Sequence, residues 1–277
     1  MAIPQGRHGY VSIGGVKYPV FNWQMPNPRN LIAPQPMGNS WSTSFAEGLK
    51  TSRFTASMMV REKTGEILSA AKTFFNLFLA RTWTGGFDDT AATTIIAHNG
   101  LKSYTLANAK AEAFTLTIAK GMMVGLSVVF VAPGIPTIAD SLPADYSNTI
   151  DNSPPLMFDK VTFGGITGNI YGAEITYSNN HQPNGPLDGT KTLASYDAGS
   201  PSAGASFTFA SRQIASEPFA DGATITVALA GGSTNTLSLT KVVPNNPYDG
   251  NANIGQSFVT YNCLIQGDTV NKPITIS

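Results

Sequence analysis

Apolar and polar residues alternate with a period of two over most of this chain. Ala173, Ile175 and Tyr177 interleave with Glu174, Thr176 and Ser178. Ile225, Val227 and Leu229 interleave with Thr224, Thr226 and Ala228, and Leu237 and Leu239 with Thr236, Ser238 and Thr240. A strand sends successive side chains to opposite faces, so these runs predict half-buried antiparallel strands. Ala230-Gly-Gly-Ser separates the last two runs and predicts a hairpin, because paired glycines supply the positive φ of a tight turn. Asn99-Gly100 predicts a second hairpin, with Ile95 and Ile96 on one arm and Tyr104 and Leu106 on the other.

One segment has helical spacing instead. Between Thr64 and Arg81 the apolar residues fall at Ile67, Leu68, Ala71, Phe74, Phe75, Phe78 and Leu79, which is one face of a helix. Thr64 suits the N-cap, Glu66 the first turn and Arg81 the last, and Gly85-Gly86 follows as a stop. Ile67, Phe74, Phe75 and Phe78 are expected to pack this helix on a sheet rather than line a ligand site. Residues 107–114, Ala-Asn-Ala-Lys-Ala-Glu-Ala-Phe, predict a further short helix. The second half offers only Gln213 to Ala220 at the place of the main helix, with Pro218 inside, so its helix must be short.

The strand pattern occurs twice. Val11-Ser-Ile-Gly-Gly-Val and Val161-Thr-Phe-Gly-Gly-Ile share their apolar and polar order 150 positions apart. Phe54-Thr-Ala-Ser-Met-Met-Val and Ser206-Phe-Thr-Phe-Ala-Ser each follow a long polar connection. Gly125-Leu-Ser-Val-Val-Phe-Val-Ala-Pro-Gly closes the first half, and Gly255-Gln-Ser-Phe-Val-Thr-Tyr-Asn-Cys-Leu-Ile-Gln-Gly the second. One order of elements therefore recurs: opening strand, long connection, middle strand, hairpin, closing strand. This predicts a mainly β protein with one main α-helix, built as two tandem units over residues 1–135 and 158–277. Residues 136–157 join them, within a stretch from 133 to 156 that holds five prolines. Residues 24–45 and 180–205 are Gly-, Pro-, Ser- and Asn-rich, and their length suits interaction arms more than plain connections.

Composition narrows the function. Only 12% of residues are charged and the net charge is zero, although Gly (27) and Pro (18) are plentiful. A lone soluble domain usually carries about a quarter charged residues, so much of the surface is expected to be covered in an assembly. The alternative is a Thr/Ser/Asn surface that is polar without charge. No basic stripe exists for gripping duplex DNA, and no apolar run has the length of a membrane-spanning helix. The opening Met-Ala-Ile-Pro-Gln-Gly-Arg-His-Gly has no charged-then-apolar leader pattern, which points to a protein used inside a cell or released by lysis. Cys263 lies in the apolar closing strand, where a buried structural thiol is expected.

Candidate chemistry is sparse. His8, His98 and His181 fall in a tail, a turn and a long loop, without metal-ligand spacing and without a Cys pair. There is no Gly-x-Ser-x-Gly elbow and no phosphate-binding loop. Asp88-Asp89 reads as a pair of solvated loop charges. Asp249, Asn251 and Asn253 resemble the first ligands of a calcium loop, but the glycine is misplaced and Thr260 stands where a bidentate Glu belongs, so a polar hairpin is expected. Trp23, Trp41 and Trp83 are candidate sugar-stacking residues, with packing the favoured role. No enzyme, cofactor or metal is expected.

The order of strands, long loop, helix, hairpin and closing strand resembles the tail tube proteins of long-tailed bacteriophages, whose relatives include baseplate hub proteins and the type VI secretion tube protein. Glu174-Ile-Thr-Tyr-Ser-Asn-Asn is similar to the strand that leads into the ring-stacking loop of that family, and Phe207-Thr-Phe-Ala-Ser and the helix at 64–81 fit the elements around it. The resemblance implies β-sandwich or half-barrel units whose sheets join into a barrel around a channel. Two units per chain imply a pseudo-hexameric ring of three chains, stacking on further rings and contacting other tail or baseplate proteins. It also implies a virion protein assembled in the host cytoplasm, with DNA as passing cargo. Asn180, Asn184 and Asp188 in one arm, and Asn27 and Arg29 in the other, are the candidate stacking residues. Other virion roles, such as decoration or fibre attachment, and a carbohydrate-binding module remain alternatives.

Overall fold

A computed structural model describes residues 10–26, 31–32, 46–47, 51–61, 67–84, 87–141, 154–184, 195–210, 218–229, 235–253, 256–267 and 272–277. The first half contributes β1 (Tyr10–Ile13), β2 (Val16–Pro19), β3 (Asn22–Gln24), β4 (Leu31–Ile32), β5 (Ala46–Glu47), β6 (Thr51–Met59), α1 (Ile67–Leu79), β7 (Arg81–Thr84), β8 (Phe87–Thr90), β9 (Thr93–His98), β10 (Ser103–Ala119), β11 (Gly125–Pro133) and β12 (Thr137–Ala139). The second half contributes β13 (Thr162–Gly164), β14 (Ile170–Ser178), β15 (Gln182–Asn184), β16 (Ser195–Asp197), β17 (Ser202–Ala210), β18 (Ala223–Ala228), β19 (Thr236–Asn253), β20 (Gln256–Ile265) and β21 (Ile274–Ile276). The protein is mainly β, and its strand pairs are antiparallel.

The duplication is visible in the hydrogen-bonded strand order. In the first half β1 pairs β9, β9 pairs β10, β10 pairs β11, β11 pairs β6 and β6 pairs β3. In the second half β13 pairs β18, then β19, β20, β17 and β14 follow in the same sense. Even the accessory strands correspond, since β12 adds to β10 as β21 adds to β19. Local irregularities repeat too. The β9–β10 ladder shifts between Leu106 and Ala109, and the β18–β19 ladder shifts where Leu239 gives way to Val242. Within each shift stands a non-glycine residue in the left-handed region, Asn108 at φ 54° and Lys241 at φ 48°. Shared bulges of this kind mark equivalent positions, because an extra residue disrupts one local stretch of ladder.

The two halves do not separate into independent sheets. β10 pairs β14 over Ala113–Ala119, so one 15-stranded sheet crosses the expected boundary. One apolar cluster likewise includes Phe54, Phe114 and Phe130 together with Tyr177, Phe207 and Ile265. The joining segment also takes part, as β12 pairs β10 and Leu156 is buried with its backbone bonded to Val60 and Val124.

Several sequence expectations need correction. Residues 107–114 are not helical but lie in the 17-residue strand β10. Their Ala, Lys and Glu favour a helix locally, yet a strand there gains ladder partners on both sides, and tertiary context overrides propensity. The main helix ends at Leu79, so Arg81 sits in β7 rather than the last helical turn. Thr64, Glu66 and Gly85-Gly86 lie outside the described residues, as does most of Gln213 to Ala220. Asp249, Asn251 and Asn253 belong to β19 and pair with Thr260, Phe258 and Gln256, so most of the expected hairpin loop is strand. The two predicted hairpins hold, as β9 pairs β10 and β18 pairs β19.

The helix packs as its spacing predicts. Phe74, Phe75 and Phe78 are buried, and Phe78 is 0% exposed. Its ring lies 5.4 Å from Phe114 and 5.2 Å from Phe130, while Phe75 meets Phe114 edge-on at 5.1 Å. Tilted and edge-on contacts suit the quadrupoles of aromatic rings. Ile67 opens α1, but its side chain lies outside those described. Phe78→Ala should therefore cost about 3–5 kcal/mol by cavity formation. Urea denaturation checks this, and an unchanged midpoint would show that the helix does not hold the sheet.

Candidate functional site

Two features beyond the core carry potential function: the seam where the halves meet, and the open face of the shared sheet. The seam is the β10–β14 ladder, which continues into Asn179, Asn180 and His181 at the base of the second arm. Asn179 is fully buried, and its Nδ2 donates to the carbonyls of Phe78 (3.0 Å) and Ala111 (2.8 Å). One side chain thus satisfies the carbonyl of a helix end and that of a strand bulge, both costly to leave unmade in a core. Asn180 turns the chain at φ 51°, and its amide donates to the Ser200 carbonyl at 2.7 Å. Asn tolerates this left-handed region better than most residues.

A buried polar cluster fixes the arm to the first half. His181 Nδ1 donates to Glu112 Oε2 at 2.6 Å, and the His181 backbone N–H donates to the same oxygen at 3.0 Å. His181 Nε2 lies 3.1 Å from Thr90 Oγ1 and 3.6 Å from Asp89 Oδ1. Asp89 also pairs with Lys110, whose ammonium donates to the Tyr196 carbonyl on the returning strand of the arm. Arg81 donates to the Gly199 carbonyl at 2.8 Å. Burial pushes the Glu112 carboxyl up, but the His181 hydrogen bonds outweigh that and hold it below the ordinary carboxylate range.

Little of this cluster is legible in the sequence. The pattern predicts solvated loop charge at Asp88-Asp89, but both lie in β8, and Asp89 is a partly buried ion-pair partner. His181, placed by the pattern in a long loop, is instead buried, because its partners come from β8 and β10. Residues 180–205 are not one loop either: Gln182–Asn184 pairs with Ser195–Asp197 as a ribbon, and Ser202 begins β17. Asn184 lies on that ribbon and donates to Asp197 at 2.7 Å. Asp188, Asn27 and Arg29 lie outside the described residues.

The second feature is the sheet face opposite the core. Thr55 and Ser57 on β6, Ser127 on β11, Thr115 and Thr117 on β10, Thr176 on β14, Ser206 and Thr208 on β17, and Thr260 and Asn262 on β20 are half-exposed or exposed. Their neighbours in each strand point into the core, as strand alternation requires. Among the described side chains of this face on these six strands, Arg53, Lys110, Glu112 and Glu174 are the charged ones, and Lys110 and Glu112 are held in the polar cluster. Thr208 and Thr260 share a hydroxyl hydrogen bond of 3.0 Å across strands. Met59, Val129, Val131 and Leu264 share this face, which is thus rich in hydroxyl and amide groups with apolar positions among them.

The remaining candidates take bland positions. Trp23 is half-buried, its ring 5.5 Å from that of Tyr104. Trp83 lies in β7 with its side chain outside those described, and Trp41 lies outside altogether. Cys263 is buried, and burial pushes its thiol up to about 12. His98 is buried at the end of β9, and His8 lies outside the described residues. Among the described residues no group of three His, Cys, Asp or Glu side chains could hold a metal ion, and no helix is long and apolar enough to cross a membrane. No family model matches this chain, and no curated protein matches its sequence.

The Glu112 environment gives a pH prediction. A carboxyl held below its ordinary value near 4.5 contributes stability that is present above that value and lost as pH falls through the folded-state pKa. Glu112→Gln should be less stable than the parent at neutral pH, with the gap narrowing as the solution is acidified below about pH 4.5. Urea melts of both proteins from neutral to acid pH measure it. A gap that stays constant across this range would show that the charged form of Glu112 is not preferred by the fold.

Proposed function

We propose that this chain is a non-catalytic structural protein of a bacteriophage tail, three copies of which form a pseudo-hexameric ring of the tail tube or of its initiator or hub, through which DNA passes. The observation that carries this reading is the six-strand order repeated in each half and joined edge to edge through β10 and β14. A unit that already adds to its own duplicate by strand pairing has the geometry of a ring component, and closing the ring removes exposed sheet edges. The hydroxyl-lined face supports the same reading. A wall with few charges can border a polyanion without gripping it, whereas a DNA-binding surface needs many phosphate-neutralising cations.

The site of action is the virion, with assembly in the host cytoplasm. The two arms are the elements assigned to ring stacking, with the second running as the β15–β16 ribbon from the polar cluster, its Tyr196 buried against the first half. Trimming residues 186–193 should leave discrete rings that no longer stack, scored by negative-stain microscopy. Stacks of normal length would remove the arm from that role.

Native mass spectrometry tests the ring itself. The expected species has three times the 29.2 kDa chain mass, and ring-shaped particles should accompany it in micrographs. A monomer as the sole species at high concentration would overturn the ring reading.

A further inference from the structure

The internal repeat makes backbone edges in the two halves equivalent. β14 has ladder partners on both sides, β17 and β10. Its first-half equivalent, β3, has a ladder partner on one side only among the described residues, β6. The distal part of β10, Ala113–Ala119, likewise lies between β11 and β14. Its second-half equivalent, the distal part of β19 over Asn246–Asn253, pairs with β20 alone among the described residues. Among the described residues, each half therefore leaves without a ladder partner the edge that the other half has filled.

The registers make the equivalence residue-specific. Ser57 pairs Ser127 and Asn22, while Thr208 pairs Thr260 and Gly172, so Asn22, Trp23 and Gln24 correspond to Gly172, Ala173 and Glu174. Thr117 pairs Gly125, and Asn251 pairs Phe258; Gly125 and Phe258 are equivalent positions, both 133 residues apart like Asn108 and Lys241. Thr117, Ile118 and Ala119 then correspond to Asn251, Ala252 and Asn253. At the internal seam Thr117 faces Glu174, Ile118 faces Ala173 and Ala119 faces Gly172.

We infer that β3 of one copy adds antiparallel to the distal edge of β19 in the next copy, with Gln24 opposite Asn251, Trp23 opposite Ala252 and Asn22 opposite Asn253. This rests on the ring reading and assigns its intermolecular seam. The occupant is a second copy of this chain, because the internal seam already shows that the equivalent strands fit one another. The contact is head-to-tail, so it either closes a ring or propagates, and strand addition provides backbone hydrogen bonds without demanding charged partners.

Paired residues on neighbouring strands hold their Cβ atoms about 4.5–5.5 Å apart, within reach of a short thiol bridge. The test uses the full-length double variant Q24C/N251C, treated with copper–phenanthroline and, in parallel, with a methylene-bridged bis-methanethiosulfonate. Cys263 stays silent, being buried with its thiol pushed up to about 12. Covalent species of two and three chains on a non-reducing gel are expected from Q24C/N251C, and not from the displaced control Q24C/N246C. Untreated samples are weighed by native mass spectrometry. Intact three-chain assemblies that fail to bridge, or that bridge equally in the control, would overturn the seam while leaving the ring reading standing. A bridge formed within single chains would also overturn the seam. Untreated parent protein that never assembles would overturn both.

Discussion

The antiparallel pairing of β10 with β14 is the constraint on which the rest of the chain depends. It places the last segment of β10 against the first long strand of the second half, and it does so in the middle of a continuous sheet. β10 can reach that position because it changes partners along its length. Its first part pairs with β9 and β12, its last part with β11 and β14, and the ladder breaks between Leu106 and Ala109, around the left-handed Asn108. A straight strand of 17 residues would carry a single set of neighbours; the bulge bends it from one set to another. The turn of Phe114 into the core then gives α1 its platform, and the bulge beside Ala111 leaves a carbonyl that Asn179 must satisfy. Sheet, helix and arm are set by the course of one strand.

Much of this is legible in the sequence because it is written in short-range pattern. Period-two runs identify β14, β18 and the start of β19, and Asn99-Gly100 marks a hairpin, since turn chemistry and strand alternation are local. The helix is legible from its aromatic spacing. The repeat is legible in element order but not in register. The Gly-Gly motifs align Val11 with Val161, whereas the ladders set Val11 opposite Ala97 and Phe163 opposite the equivalent Val227. That displacement of two residues keeps the same side chains on the same face, so alternation alone could not detect it.

The rest is illegible because its causes are non-local. Residues 107–114 have helical propensity, and nothing within that window announces the two ladders that claim it. The His181–Glu112 bond joins residues 69 positions apart, and Asp89 and Lys110 meet beside it only because three strands converge there. The halves are also unequal in ways the topology does not reveal. Among the described residues α1 and the β7–β8 pair belong to the first half, whereas a two-stranded ribbon occurs in both, as β4–β5 and as β15–β16. The repeated order of strands is therefore dressed differently at each occurrence.

The hydroxyl face bears on motion as well as on contact. A polyanion sliding along a cationic surface must exchange condensed counterions for protein charges at every step, which makes both its retention and its mobility depend on salt. Along the wall described above, Arg53 and Lys110 offset Glu112 and Glu174, and the other positions include Thr, Ser and Asn together with Val129, Val131 and Leu264. In the proposed ring this surface would present a nearly level electrostatic path, with hydrogen-bonding groups that water can serve equally well. Transit along it would be governed by the driving pressure and by water viscosity, and would be nearly indifferent to ionic strength.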